Sequence, residues 1–234
     1  MKKKLVIILF GPPGAGKGAQ ALLLSEKLNL CHIETSKIIE ENIVRAGKKD
    51  FVIVKGEKYF LHKEKELWKT GLLCSSALVA FWLENKVKKL AELAENFLIE
   101  GSPRSLVEAK ELIPVLKNLY GKENIKIIFL EVSPQTTLFR NSHRKICSLS
   151  RHSILYSEET KNLQYCPLDG SRLIKRKGLD DPETIKIRIK EYKKRTLPLI
   201  RYFKEQGLKV EKINGENSPA NVFQDILEKL KKQI

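Results

Sequence analysis

The sequence predicts an α/β protein with a doubly wound, five-stranded parallel sheet flanked by helices. Two observations carry that prediction. Five short apolar runs recur along the chain: "KLVIILF" (4–10), "LCHIE" (30–34), "NFLIE" (96–100), "KIIFLEV" (126–132) and "LKVEKI" (208–213). They are rich in Ile, Leu and Val without strict alternation, the pattern of strands buried on both faces. Helical stretches separate them, and that alternation builds a parallel sheet. At 234 residues, 42% hydrophobic and 31% charged, the chain is long enough for one well-buried domain and too short for two full-sized ones.

The first run follows a lysine cluster and imitates a secretory leader. Its apolar part spans only Leu5 to Phe10 and leads into glycines rather than a small-residue cleavage pattern, so it reads as the first strand. Next, Gly11, Gly14, Gly16 and Lys17 give G-x-x-x-x-G-K directly before the helix "KGAQALLLSEKL" (17–28). Glycines let backbone N–H groups turn toward phosphate oxygens, the helix N-terminus adds its dipole, and Lys17 neutralises the outer phosphates. Loops of this spacing usually continue with Ser or Thr, whose hydroxyl binds magnesium; here Gly18 and Ala19 follow.

Residues 35–73 interpose helical and extended pieces, including "FVIVKGEKYFL" (51–61), between the second and third strands. Residues 144–180 are polar, with Cys, Pro and Gly. Both are expected to project as insertions, leaving a core of 1–34, 74–143 and 181–234 in a single domain. The helix in "DDPETIKIRIKEY" (180–192) starts with Asp181 as N-cap and Pro182 at the first helical position. Ser218 and Pro219 repeat that arrangement at the last helix, where Val222, Phe223, Ile226, Leu227 and Leu230 form an apolar stripe.

Forty-four Lys and Arg against 28 Asp and Glu leave a formal charge of +16, which implies anionic partners, either nucleic acid or small phosphorylated ligands. Runs such as "KVKKLAEL" (86–93) read as solvated helix faces, and aromatic residues, at 7%, form no cluster on which bases would stack. The expectation is therefore against nucleic acid and, with no long apolar stretch, against a membrane. Cys31, Cys74, Cys147 and Cys166 are too dispersed for a disulfide scaffold, which points to a reducing cytoplasm.

From the glycine loop onward the chain resembles the adenylate kinase family of nucleoside monophosphate kinases, which have the P-loop NTPase fold. The family loop runs G-x-P-G-x-G-K-G-T, and "GPPGAGKGA" matches it until Ala19. The likeness continues in order through "HIETS" (32–36), "NFLIEGSPRS" (96–105), "FRNSHRK" (139–145), "ICSLS" (146–150), "YCPLDGSRL" (165–173) and "RKGLDDPETIKIRIKEY" (176–192). It implies a reversible transfer of the terminal phosphate of MgATP to AMP, giving two ADP, in a monomer. Segment 35–73 would be the acceptor-binding insertion and 144–180 the lid over ATP. A kinase for CMP or UMP, and a catalytically weak nucleotide- or RNA-binding protein of the same fold, stand as alternatives.

The resemblance also implies a site. ATP would lie on Gly11, Pro12, Gly14, Ala15, Gly16, Lys17, Gly18 and Ala19, with Arg140 and Arg144. The cations serving catalysis would be Lys17, Arg104, Arg140, Arg144, Arg176 and Arg188. AMP would be held by Thr35, Glu40, Cys74, Gly101, Arg104, Glu108, Arg176 and Arg188. Magnesium would be held largely by phosphates and water, with Glu100, where the family has aspartate, orienting that water. The residues support parts of this on their own: Arg140 and Arg144 share a helix face, and Arg188 falls on the apolar stripe of Ile185, Ile189 and Tyr192, where a guanidinium needs an anion.

The acceptor side departs from the family pattern. Glu40 replaces an arginine, and Lys37 or Arg45 is the candidate to supply the lost cation. Glu108 replaces an adenine-reading glutamine and, while ionised, accepts hydrogen bonds but donates none. In the lid, Cys147, Ser150, Cys166 and Asp169 give C-x2-S-x15-C-x2-D, similar to zinc-bearing lids with Ser for one Cys. Three ligands, Cys147, Cys166 and Asp169, leave the fourth place of a structural zinc between His152 and His143.

Overall fold

A computed structural model describes residues 4–176 and 180–231; residues 177–179 of the expected lid lie outside the described residues. In chain order the elements are β1 (Val6–Phe10), α1 (Lys17–Leu28), β2 (Cys31–Glu34), α2 (Thr35–Ile43), β3 (Phe51–Val54), β4 (Glu57–Phe60), α3 (Leu61–Lys69) and α4 (Ser76–Glu92). They continue with β5 (Phe97–Glu100), α5 (Leu106–Tyr120), β6 (Ile125–Glu131), α6 (Pro134–Ser142), β7 (Lys145–Cys147), β8 (Ser153–Ile154) and β9 (Leu173–Ile174). The chain closes with α7 (Pro182–Glu191), α8 (Leu199–Glu205), β10 (Val210–Asn214) and α9 (Pro219–Lys231), and a π-turn over Tyr192–Thr196 follows α7.

Five strands form one parallel sheet in the order β10-β6-β1-β5-β2. β1 is central, and its first four residues are 0% exposed, which is why the run shows no polar alternation. Ile7 and Leu9 face α1 and α9 with Leu24, Val222 and Ile226. Val6, Ile8 and Phe10 face the other layer with Leu83 of α4 and Leu112 of α5. Each such side chain adds roughly 1.5–3 kcal/mol when fully buried, so both faces favour the same register. The last strand begins at Val210 rather than at 208. Gly207, at φ 67, ends α8, and the Leu208 N–H donates to Phe203 O at 2.9 Å, so these residues are spent on the helix cap.

Between β2 and β5 the chain leaves the sheet for α2, the β3–β4 hairpin and α3. Lys55 and Gly56, both at positive φ, make the two-residue turn that fits a hairpin. After α6 it leaves again for a small antiparallel sheet of order β8-β7-β9. Asp181 caps α7 by accepting from the N–H groups of Glu183 and Thr184 at 3.2 and 3.4 Å. Ser218 Oγ accepts from the Asn221 N–H at 3.3 Å at the start of α9. Among the described residues no helix is long and apolar enough to cross a membrane.

Candidate active site

The glycine loop leaves the C-terminal end of β1, the end of a parallel strand where ligands collect. Gly11 passes so close to β6 that a Cβ would stand 2.4 Å from Leu130 O, and Gly16 enters α1 at φ 86 with no side-chain cap. Gly16, Gly18 and Ala19 are exposed, so the N–H groups opening α1 face accessible space. Lys17 folds over the loop, its Nζ donating to Gly11 O at 2.9 Å and Pro12 O at 2.8 Å. Burial pulls its ammonium down to about 7; Glu100 opposes the shift, and Arg104, Arg188 and Arg144 add to it.

Parallel pairing brings Glu100 level with Leu9 on one side and Glu34 on the other. A Cβ at Gly18 would lie 3.4 Å from Glu100 Oε1, and His32 Nε2 is 3.2 Å from Oε2. A carboxylate beneath the glycine loop is an oxygen donor of the kind magnesium takes.

The arginines come from α6, α7, the segment 144–180 and the loop after β5. Arg140 donates to Gly215 O at 2.8 Å and lies 3.5 Å from Gly14 O, bracing the glycine loop. Arg144 donates to Asn141 Oδ1 at 2.7 Å; burial, reinforced by Arg176, draws it down to about 10. Arg176 makes a two-pronged pair with buried Asp180, at 2.9 and 2.5 Å. Arg188 is drawn down to about 9 by burial and then by Arg176, Arg144 and Arg104. Lys17, Arg104, Arg144, Arg176 and Arg188 stand near enough to repel one another, a cluster that suits a polyanion. Asn141 and Asp180, which orient two of the arginines, were not singled out by the sequence; the Arg176-to-Asp180 spacing of one helical turn is a signal that finds one of them.

Arg104 turns back on its own loop, Nε to Gly101 O at 2.5 Å, and a side chain at Gly101 would strike its guanidinium. Beside it lies a small cavity lined by Thr35, Ile39, Cys74, Ser102 and Glu108 among others. Glu108 accepts from Ser102 Oγ at 2.8 Å and from the Arg104 N–H at 3.0 Å. Cys74 is buried, and desolvation, with Glu64 nearby, pushes its thiol up to about 12, so it is an apolar wall rather than a nucleophile. Sequence reading missed Glu64, a buried carboxylate that accepts from Ser75 N at 2.7 Å and Ser75 Oγ at 2.6 Å, fixing the start of α4. Glu40 does not line this cavity; it pairs with Arg151 at 3.2 Å. Lys37 pairs with Glu34 at 3.1 Å, and Arg45 is exposed on the surface.

In the segment expected to be the lid, Cys147, His152, Cys166 and Asp169 bring one potential ligand atom each to within 4.8 Å of one another. Cys147 Sγ donates to Asp169 Oδ2 at 3.0 Å, and that bond holds the Asp169 carboxyl far below its usual range against the opposing effect of burial. His152 Nδ1 lies 3.5 Å from Cys147 Sγ and 3.6 Å from Cys166 Sγ. His143 is elsewhere, against Phe139 and Tyr156, with Nδ1 2.8 Å from Phe139 O. Ser150 contributes its backbone N–H to Asp169. Of the two histidines left open by the sequence, His152 is therefore the one beside the thiols.

A sequence model of the adenylate kinase family matches residues 9–208. Among curated relatives, an adenylate kinase of Caldicellulosiruptor bescii is 34% identical over 227 residues, 96% of this chain and 98% of that protein. One of Caldicellulosiruptor saccharolyticus is 33% identical with the same coverage, and one of Methanothrix thermoacetophila is 31% identical over 97% of this chain and 98% of its own length. With a five-stranded parallel sheet, a glycine loop leaving its central strand, and a match over nearly its whole length, the chain belongs to the adenylate kinase family.

Proposed function

We propose that this protein transfers the terminal phosphate of ATP, carried with magnesium, to AMP, yielding two ADP. The convergence of Lys17, Arg104, Arg144, Arg176 and Arg188 carries the reading. Burial and mutual repulsion pull Lys17, Arg144 and Arg188 below their usual values, a strain that bound phosphates would relieve. Phosphoryl transfer needs positioning and charge neutralisation more than covalent help. In this reading the loop N–H groups and Lys17 hold the donor's outer phosphates, and Arg140 and Arg144 flank them. Arg176 and Arg188 meet the transferring group, while Arg104 takes the acceptor's phosphate. Thr35, Cys74 and Glu108 line the acceptor base pocket. Magnesium, when bound, screens phosphate charge; Glu100 is the residue to orient its water, which makes a hydroxyl at Ala19 dispensable.

The reading takes segment 35–73 as the acceptor-binding insertion and 144–180 as the lid, which excludes water when closed. The donor set of two thiols, an imidazole and a carboxylate suits a structural zinc in that lid. A reducing cytoplasm belongs to the same reading, because Cys147 and Cys166 must stay thiolates to hold the metal.

The test is ADP formation from MgATP with AMP, and with CMP, UMP and GMP for comparison. AMP should be the best acceptor, and Lys17→Ala should lower its rate at least ~100-fold, roughly 3 kcal/mol of transition-state stabilisation. No ADP above the Lys17→Ala background with any acceptor would overturn the reading.

A further inference from the structure

The two segments that leave the main sheet meet at a charged pair. Arg151, in the loop between β7 and β8, donates through Nη1 to both carboxylate oxygens of Glu40 on α2, at 3.2 and 3.3 Å. The two residues lie 111 positions apart in sequence. Arg151 has φ 59, a left-handed conformation that costs a side-chain-bearing residue and persists where its surroundings impose it. The imposition is visible on either side. The His152 N–H donates to Cys147 Sγ at 3.1 Å, the Cys147 N–H donates to His152 O at 3.1 Å, and the Ser150 N–H donates to Asp169 Oδ2 at 3.3 Å. The knuckle that gathers the four metal-ligand side chains thus also fixes the backbone at Arg151 and presents it to α2.

On the opposite side, α2 turns Thr35 and Ile39 into the acceptor cavity, and Glu40 follows Ile39 directly. Whatever holds Glu40 therefore also sets the helix that walls the cavity. We propose that Glu40 and Arg151 are positioning residues whose ion pair is the closing contact between the lid and the acceptor-binding insertion. The proposal rests on the phosphotransfer reading for its kinetic consequence, and it assigns Glu40 to closure instead of to the acceptor's phosphate. It also accounts for the charge at this position, since an arginine here would face Arg151.

Exposed pairs are weak, so the effect is bounded at up to about fivefold in the population of the closed form. Glu40→Gln and Arg151→Gln should each raise the KM for AMP about two- to fivefold and change kcat less. The reversed pair, Glu40→Arg with Arg151→Glu, should restore the parent value. The difference between parent and single variants should shrink at high salt, where an exposed pair is screened. Glu40→Arg alone sets two guanidiniums face to face and should weaken AMP use.

Hydrogen exchange supplies a readout that needs no turnover. With ATP and AMP bound, amides in 36–43 and 148–154 should exchange faster in each single variant than in the parent. If Glu40→Arg tightened monophosphate binding, Glu40 would stand over the acceptor's phosphate and the proposal would be overturned. A reversed pair no better than the single variants would overturn it equally. Should the chain transfer no phosphate, the phosphotransfer reading fails and exchange alone decides: faster exchange at both segments supports the pair, and unchanged exchange overturns it.

Discussion

Glu108 is 2% exposed, and burial pushes its carboxyl above 4.5 despite the donors on it, the Arg104 N–H and Ser102 Oγ, and the charges of Arg104 and Arg195. A carboxyl raised in the folded state adds stability below its unfolded value and loses it as pH climbs through the folded value. A carboxyl at this position is therefore a cost that grows as pH rises above its unfolded value. Glu108→Gln, which keeps the accepting oxygen and drops the charge, should raise the unfolding temperature near neutral pH, with the advantage closing as pH falls toward 4.5. Thermal unfolding across pH checks this; a parent as stable as the variant at neutral pH would mean that the hydrogen bonds outweigh burial. The glutamine also regains a donor, and one hydrogen bond is worth about 0.5–1.5 kcal/mol, so the choice of AMP over CMP and UMP should sharpen roughly three- to tenfold. The arginines divide differently. Arg188→Ala should lower kcat, because Arg188 sits among the cations given to the transferring phosphate. Arg104→Ala should mainly raise the KM for AMP, because Arg104 borders the cavity proposed to take the acceptor. Steady-state kinetics separates the two, and an Arg188→Ala variant with parental kcat would remove Arg188 from the reaction.

Among the elements, the lid knuckle makes the sharpest metal prediction. Protein purified without chelator should carry about one zinc per chain, and Cys147→Ser should abolish it. His152→Ala should weaken it, while His143→Ala should not, since His143 is engaged with Phe139 and Tyr156. Affinity should fall with pH as thiols and imidazole take up protons. Metal analysis that finds none in the parent would leave the lid held by its hydrogen bonds alone. The grouping of Cys147, Cys166 and Asp169 was legible in the sequence because their spacing is local; the nearness of His152 was not, because it depends on how the β7–β8 loop turns. The same division runs through the fold. β1, the glycine loop and the Asp181 cap are local signals, and the chain follows them. The π-turn after α7 is announced only by Pro198, yet it sends Arg195 to Ser76 Oγ at 2.8 Å and Thr196 Oγ1 to Arg104 O at 2.8 Å, tying the helix of Arg188 to the acceptor loop. Glu64 on Ser75, 11 residues on, and Glu40 on Arg151, 111 residues on, were likewise invisible, because neither pairing follows a spacing rule.

At the scale of the whole molecule, the formal charge of +16 is the property most open to two readings, a nucleotide enzyme or a binder of nucleic acid. Placement separates them. Many lysines lie on helix faces and are balanced there, Lys69 by Glu66, Lys88 by Glu84 and Lys186 by Glu183 within their own helices. The concentrated cations, Lys17 with Arg104, Arg144, Arg176 and Arg188, are partly buried beside one another, where salt screens them least. A diffuse positive surface attracts any polyanion at low salt and releases it steeply as counter-ions compete, whereas a walled cleft keeps a small phosphate ligand through desolvated, directional contacts. Fluorescence anisotropy over a salt series should therefore show single-stranded RNA leaving the protein well before a fluorescent ATP analogue does, and Lys17→Ala should weaken the analogue far more than the RNA. If RNA were still bound at a salt concentration that had displaced the nucleotide, the positive surface and not the cleft would be the main anion site, and the fold would have been turned to nucleic-acid binding.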